Sequence, residues 1–169
     1  SAELYLTDKG IWGSNTSTLP ISELAKASKK AENFIGIHFF SPVDKMPLVE
    51  IIVGEKTSDE TLAKAFDFAQ QIKKTPIVVN DSLGFFTSRT FATYLDEGLH
   101  LLVEGYSPVQ IDNMGKAIGM PVGPLQVGDE VSLELTRKAQ ETWTEMGVAD
   151  KWSNGDVTRR VIKDLITDN

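Results

Sequence analysis

Apolar positions along the chain change their period part-way through. Up to about Asp81 they come in short, dense runs bounded by Gly, Pro, Ser and Asp, the pattern of strands. Gly10–Thr16 reads as a short strand entering a turn, Phe34–Phe40 as a second strand, Pro47–Val53 as a third and Thr75–Asp81 as a fourth. Between them, Leu19–Ser28 suits a helix with Pro20 in its first turn, where a missing N–H costs nothing. Thr57 and Glu60 form a capping box ahead of Leu62, Ala65, Phe66, Ala69 and Ile72 at helical spacing.

Past Asp81 only helical spacing remains. A Gly84 turn leads to a long helix, Phe85–Glu104, closed by Gly105. Ser107 and Gln110 form a second capping box with Pro108 at the first helical position, and that helix ends at Gly119. Met120–Asp129 is a Pro/Gly-rich loop. Asp129 caps a helix to Met146, ended by Gly147, and a last helix covers Asp156–Ile166. The pattern therefore predicts an α/β part over residues 1–81 and an all-helical part over 82–169.

Two ionisable residues interrupt the central apolar runs, His38 in "FIGIHFF" and Glu50 in "PLVEIIV". The break between these strands is too short for a parallel crossover, so direct neighbours must run antiparallel. Both residues lie equally far from Asp44, the midpoint of the connection, which makes them cross-strand partners on one face. A carboxylate beside an imidazole fixes its tautomer, orients it and favours its protonated form. His38 would then be a general base with an orienting acid, a triad without its covalent nucleophile. A structural His–Glu pair closing a sheet fits the same spacing. The place of His38 at a strand end, where open α/β sheets bind ligands, favours function.

Composition narrows the chemistry. The 169 residues carry a net charge of −7 and 41% apolar residues. That balance supports a buried core and argues against a nucleic-acid or anionic-membrane partner. The absence of cysteine excludes disulfides, thiolate nucleophiles and zinc–cysteine sites, and two histidines exclude a multi-histidine metal centre. No apolar run is long enough for a membrane span. His100 reads as a partly exposed histidine without chemistry, and Trp12, Trp143 and Trp152 as packing residues.

"SNTSTLPI" (Ser14–Ile21), "HFFSPVDKMPLVEII" (His38–Ile52), "DSLGFFTSR" (Asp81–Arg89) and "GMPVGPL" (Gly119–Leu125) resemble, in order and spacing, the 3-hydroxyacyl-CoA dehydrogenases. The likeness is greatest to the dehydrogenase part of bacterial fatty-acid oxidation complex α-subunits, and it spans about residues 10–135. It implies the C-terminal part of a Rossmann-like NAD-binding domain, containing antiparallel strands, followed by a 6-phosphogluconate-dehydrogenase-like helical domain for substrate and dimerisation. It implies His38 as the base for the C3 hydroxyl of an L-3-hydroxyacyl-CoA, Glu50 as its support, Ser17 on the substrate oxygen and Asn15 near the nicotinamide ribose of NAD⁺. Taken alone, Asn15 and Ser17 would be ordinary turn and cap residues. Two positions depart from the family: Ser41 and Ser88 stand where many members have asparagine. The Ser88 position assists the substrate carbonyl, so a serine there shortens the reach. The resemblance further implies an acyl-CoA substrate, a homodimer through the helical part, a thiolase subunit as partner of the parent complex and a cytoplasmic setting.

A Rossmann domain grips its dinucleotide through G-x-G-x-x-G after the first strand. No such motif occurs here; Gly115, Gly119 and Gly123 have the wrong spacing and lie in a helix-to-loop region. The expectation is a piece of a longer enzyme that binds NAD⁺ weakly by itself. A non-catalytic interaction or scaffold domain that kept the fold is the alternative. A related 6-phosphogluconate- or UDP-sugar-type dehydrogenase is disfavoured by the His/Glu pair and "HFFSPV".

Overall fold

A computed structural model describes residue 7, residues 9–147 and residues 155–167; Trp152 lies outside them. The chain divides into two compact units, Ser1–Ser88 and Arg89–Asn169.

The first unit is built on four strands in the order β1 (Trp12–Ser14), β2 (Phe34–Phe39), β3 (Leu48–Val53) and β4 (Thr75–Asn80). β1 pairs parallel to β2 and β3 parallel to β4, while β2 and β3 are antiparallel. The sheet is thus two β-α-β units joined by a hairpin. Helix α1 (Ile21–Ala25) makes the first crossover and α2 (Asp59–Gln71) the second.

Alternation along the two central strands sorts their side chains onto opposite faces. Ile35, Ile37, Val49 and Ile51 pack with Ala65 and Ala69 of α2, with Leu62 and Phe66 at the margin. On the other face Ile52 packs with Ile21 of α1 and with Phe85. Both faces being covered explains why β2 and β3 read as continuous apolar runs rather than alternating ones. His38 and Glu50 belong to the face that carries Ile52.

Several ends differ from the sequence reading. Ser58, not Thr57, caps α2: its hydroxyl accepts from the Thr61 amide, while the Thr57 hydroxyl donates to Phe34 O at 2.7 Å. Glu60 pairs instead with Lys64 one turn on. The first helix is shorter than Leu19–Ser28, and a 3-10 turn, Ala31–Asn33, leads into β2. Helix α3 (Thr87–Val103) starts later than Phe85, because Phe85 has φ 45° and cannot join a right-handed helix.

The second unit holds the rest of α3, α4 (Pro108–Ala117), α5 (Pro124–Val131), α6 (Leu133–Glu145) and α7 (Gly155–Thr167). Leu95, Leu99 and Ile162 form its buried cluster, with Phe91, Leu125 and Leu133 against it. The Ser107–Gln110 capping box is present, with Pro108 at the helix start. Gly105, Gly119 and Gly147 take φ values of 98°, 104° and 70° at the ends of α3, α4 and α6.

Helix α5 was not expected; its sequence reads as loop. Pro124 opens it, and the Asp112 carboxylate, reaching from α4, accepts from the Leu125 amide at 2.9 Å and the Gln126 amide at 3.2 Å. A cap from a distant residue leaves no local signature. Ser132, at φ 80°, separates α5 from α6, so Asp129 lies inside α5 rather than capping α6. Trp143 of α6 is buried, as expected for a packing residue. His100 is partly buried, and its Nδ1 donates to Asp96 O at 2.8 Å.

Gly36, on the site face of β2, has no room for a side chain. A Cβ there would lie 2.8 Å from Ile21 Cδ1 and 2.8 Å from Ile52 Cβ. Gly36→Ala is expected to destabilise the chain by about 1–3 kcal/mol through overpacking. A lowered urea midpoint with an unchanged slope is the check.

Candidate active site

His38 is the penultimate residue of β2. Because β1 runs parallel beside it, the residues just after β1 emerge at the same edge. Asn15 and Ser17 therefore meet the His38 end of the sheet although they are remote in sequence. The Ser17 hydroxyl lies 3.0 Å from His38 Nε2. Asn15 Oδ1 accepts from the Phe39 amide at 2.9 Å, a bond that fastens the end of β1 to the end of β2.

Across the hairpin, His38 and Glu50 are register partners, as their equal distance from Asp44 requires. Glu50 Oε2 lies 2.7 Å from His38 Nδ1. Both are buried, with residue exposures of 4% and 0%. An isolated carboxylate at that depth would be costly, so its hydrogen bonds decide whether the charge is tolerated.

Glu50 is fully engaged. Oε1 accepts from the Phe86 amide at 3.1 Å and the Thr87 amide at 2.9 Å. Oε2 accepts from the Thr87 hydroxyl at 2.7 Å and faces His38. The amides belong to the start of α3, so the carboxylate also sits at the positive end of a helix. Burial by itself would raise the carboxyl's pKa; the bonds from His38 and Thr87, with the imidazole's charge, outweigh it and hold the group below its ordinary 4.5.

This network assigns the histidine tautomer. With Glu50 ionised, Nδ1 must donate, which leaves Nε2 of the neutral ring as an acceptor. Ser17 is the hydroxyl aimed at it. Phe40 and Phe85 flank the ring, with centroids 4.7 and 5.8 Å away. What results is a shielded imidazole with one nitrogen anchored and the other able to take a proton.

Ser88 follows Thr87 in the first turn of α3, and among the described residues it makes no hydrogen bond to His38, Glu50 or Ser17. Ser41 is exposed in the hairpin connection, joined to Pro42 by a cis peptide bond.

Three supports escaped the sequence reading: Thr87, the Phe86 amide and Asp81. The Asp81 carboxylate accepts from the Ile21 amide at 2.9 Å and the Ser22 amide at 2.7 Å, capping α1 from the far end of β4. A threonine just past Gly84-Phe85-Phe86 was a signal for a helix start at residue 87, but not for the strand carboxylate that occupies it.

Two family models match. The NAD-binding domain of 3-hydroxyacyl-CoA dehydrogenase covers residues 2–82, and the C-terminal domain of the same family covers residues 84–165. The chain belongs to the 3-hydroxyacyl-CoA dehydrogenase family.

Relatives of this chain include the fatty acid oxidation complex subunit alpha of Shewanella halifaxensis, 49% identical over 128 residues, or 76% of this chain. The chain spans 18% of that relative's length. Among solved structures, (S)-3-hydroxybutyryl-CoA dehydrogenase PaaH1 from Ralstonia eutropha superposes with a TM-score of 0.81 at 35% identity, over 94% of this chain and 55% of that one. FadB2 of M. tuberculosis gives 0.83 at 28% identity, over 96% and 59%.

NAD is the family's cofactor, and the fit of these residues to it is uneven. Asn15, Ser17 and His38 form a polar cluster at one end of the sheet. For the pyrophosphate the sequence has no G-x-G-x-x-G turn.

The Glu50 contacts set an acid response. Folding lowers the carboxyl's pKa from 4.5, so on this group the native chain binds fewer protons than the unfolded chain. Its contribution to stability is complete above the unfolded value and is lost as pH falls through the folded one. Glu50→Gln turns a donor NH₂ toward one of the two pairs of donors that now meet a carboxylate oxygen. It is expected to cost about 3 kcal/mol at neutral pH. Urea midpoints measured from about pH 7 down to about pH 3 should show the gap between wild type and Glu50→Gln narrowing on acidification.

Proposed function

We propose that the chain is part of an NAD-dependent L-3-hydroxyacyl-CoA dehydrogenase, which oxidises 3-hydroxyacyl-CoA to 3-oxoacyl-CoA in fatty-acid β-oxidation. The observation that carries the reading is the His38 ring. Its Nδ1 is held by a buried, fully bonded carboxylate, while its Nε2 faces a hydroxyl. In this reading Nε2 takes the proton of the C3 hydroxyl as the C3–H bond gives up its electron pair and the carbonyl forms. NAD⁺, when bound, supplies the hydride acceptor. Glu50 keeps Nδ1 protonated and supports the positive charge that the ring gains. Ser17 marks the position of the substrate oxygen and hydrogen-bonds to it. Asn15 lies on the nicotinamide-ribose side, and Ser88 faces the substrate carbonyl region in place of an asparagine.

The division of labour follows the two parts. Residues 1–81 contribute the base and one side of the cofactor site; residues 82–169 contribute substrate contacts and a homodimer surface. The relatives' name, fatty acid oxidation complex subunit alpha, adds a further proposal, a place in a multi-subunit complex; the thiolase partner is proposed from the resemblance alone. A cytoplasmic setting is proposed with it; no helix among the described residues is long and apolar enough to cross a membrane.

The second reading is a non-catalytic interaction or scaffold domain that kept the fold. Activity separates the two. In the complete gene product, His38→Ala should lower kcat by at least about 100-fold, the scale of general-base catalysis, with NAD⁺ affinity nearly unchanged. Loss of NAD⁺ affinity instead would make His38 a structural residue. For the 169 residues by themselves, calorimetry should detect no micromolar NAD⁺ binding, since they contain no G-x-G-x-x-G.

A further inference from the structure

We propose that Thr87 is a positioning residue for the catalytic histidine: its hydroxyl, donating to Glu50 Oε2, dictates which imidazole nitrogen carries the proton. The catalytic meaning of this rests on the dehydrogenase reading; the tautomer does not.

The two oxygens of Glu50 are held differently. Oε1 takes two backbone amides, Phe86 at 3.1 Å and Thr87 at 2.9 Å, which any sequence would provide. Oε2 takes the Thr87 hydroxyl and His38 Nδ1, each at 2.7 Å. Only the Thr87 contact depends on a further side chain. Within a helix, a threonine hydroxyl commonly bonds a carbonyl of the preceding turn. Thr87 opens α3, so no helical turn precedes it, and its hydroxyl goes to the strand carboxylate.

That bond bears on the two tautomers of a neutral ring beside an ionised Glu50. In one, Nδ1 carries the hydrogen and donates to Oε2, and Nε2 is the free base. In the other, the hydrogen sits on Nε2, the bare Nδ1 faces Oε2 lone pair to lone pair, and no base faces Ser17. A hydroxyl donating to Oε2 holds that oxygen against Nδ1 and so penalises the second tautomer. Removing it leaves Oε2 with His38 as its one partner among the described residues and frees the carboxylate to rotate about the bonds from Oε1.

The test uses ¹⁵N-labelled chain, with the ring nitrogens of His38 read by NMR above the titration of the imidazole. Wild type and Thr87→Ser should show the Nδ1–H form. Thr87→Val should raise the Nε2–H form about tenfold, the order expected for one lost hydrogen bond to a charged group. Thr87→Ala, which removes the hydroxyl without adding bulk, is read the same way if the valine variant does not fold. In the complete gene product, Thr87→Val should lower kcat about tenfold with KM unchanged, and Thr87→Ser should restore it. Wild-type tautomer populations in both the valine and alanine variants, or a mixed tautomer in wild type, would overturn the proposal. A wild-type protein without dehydrogenase activity would overturn the reading of the preceding section, while the NMR result would still decide this one.

Discussion

One buried carboxylate sets the terms for the first unit. Glu50 has no exposure and holds its charge through two amides, a hydroxyl and an imidazole. It joins three pieces of chain: β2 through His38, β3 through its own backbone, and the start of α3. A charge in that position is tolerable only while every donor is in place, so the side chain's cost and its usefulness have the same origin. The imidazole gains a fixed orientation, and the helix gains a cap.

The sheet explains why the chemistry gathers at one edge. Two β-α-β units are joined back to back by the β2–β3 hairpin. The ends of β1 and β2 therefore point the same way, and the beginning of β3 lies beside them. Asn15, Ser17, His38 and Glu50 are collected there by strand direction alone. The same reversal sends the end of β4 to the opposite edge, where Asp81 caps α1.

Much of this was legible in the residues. The four strands, the antiparallel hairpin, the His38–Glu50 partnership and the glycine-terminated helices follow from periodicity, connection length and local turn chemistry. What could not be read shares a physical cause. Glu50 caps α3, Asp112 caps α5 and Asp81 caps α1, each from a different element. Local capping rules look for the acceptor immediately before the helix, as at Ser58 and Ser107, where they apply. When the acceptor arrives through the tertiary fold, the sequence shows a helix without a visible beginning. The start of α3 was misplaced for that reason, and α5 was missed. The roles proposed for Asn15, Ser17 and Ser88 come from family resemblance; residue types alone leave them as turn chemistry.

The hairpin also separates what this protein can vary from what it cannot. The pairing of His38 with Glu50 is written in the ladder, while the exposed connection of Ser41–Met46 lies outside it. New segments could be spliced into that connection with the pair intact. A single residue inserted in β3 ahead of Glu50 is another matter: it would turn the carboxylate through the sheet, into the apolar layer under α2 and away from the donors that now hold it.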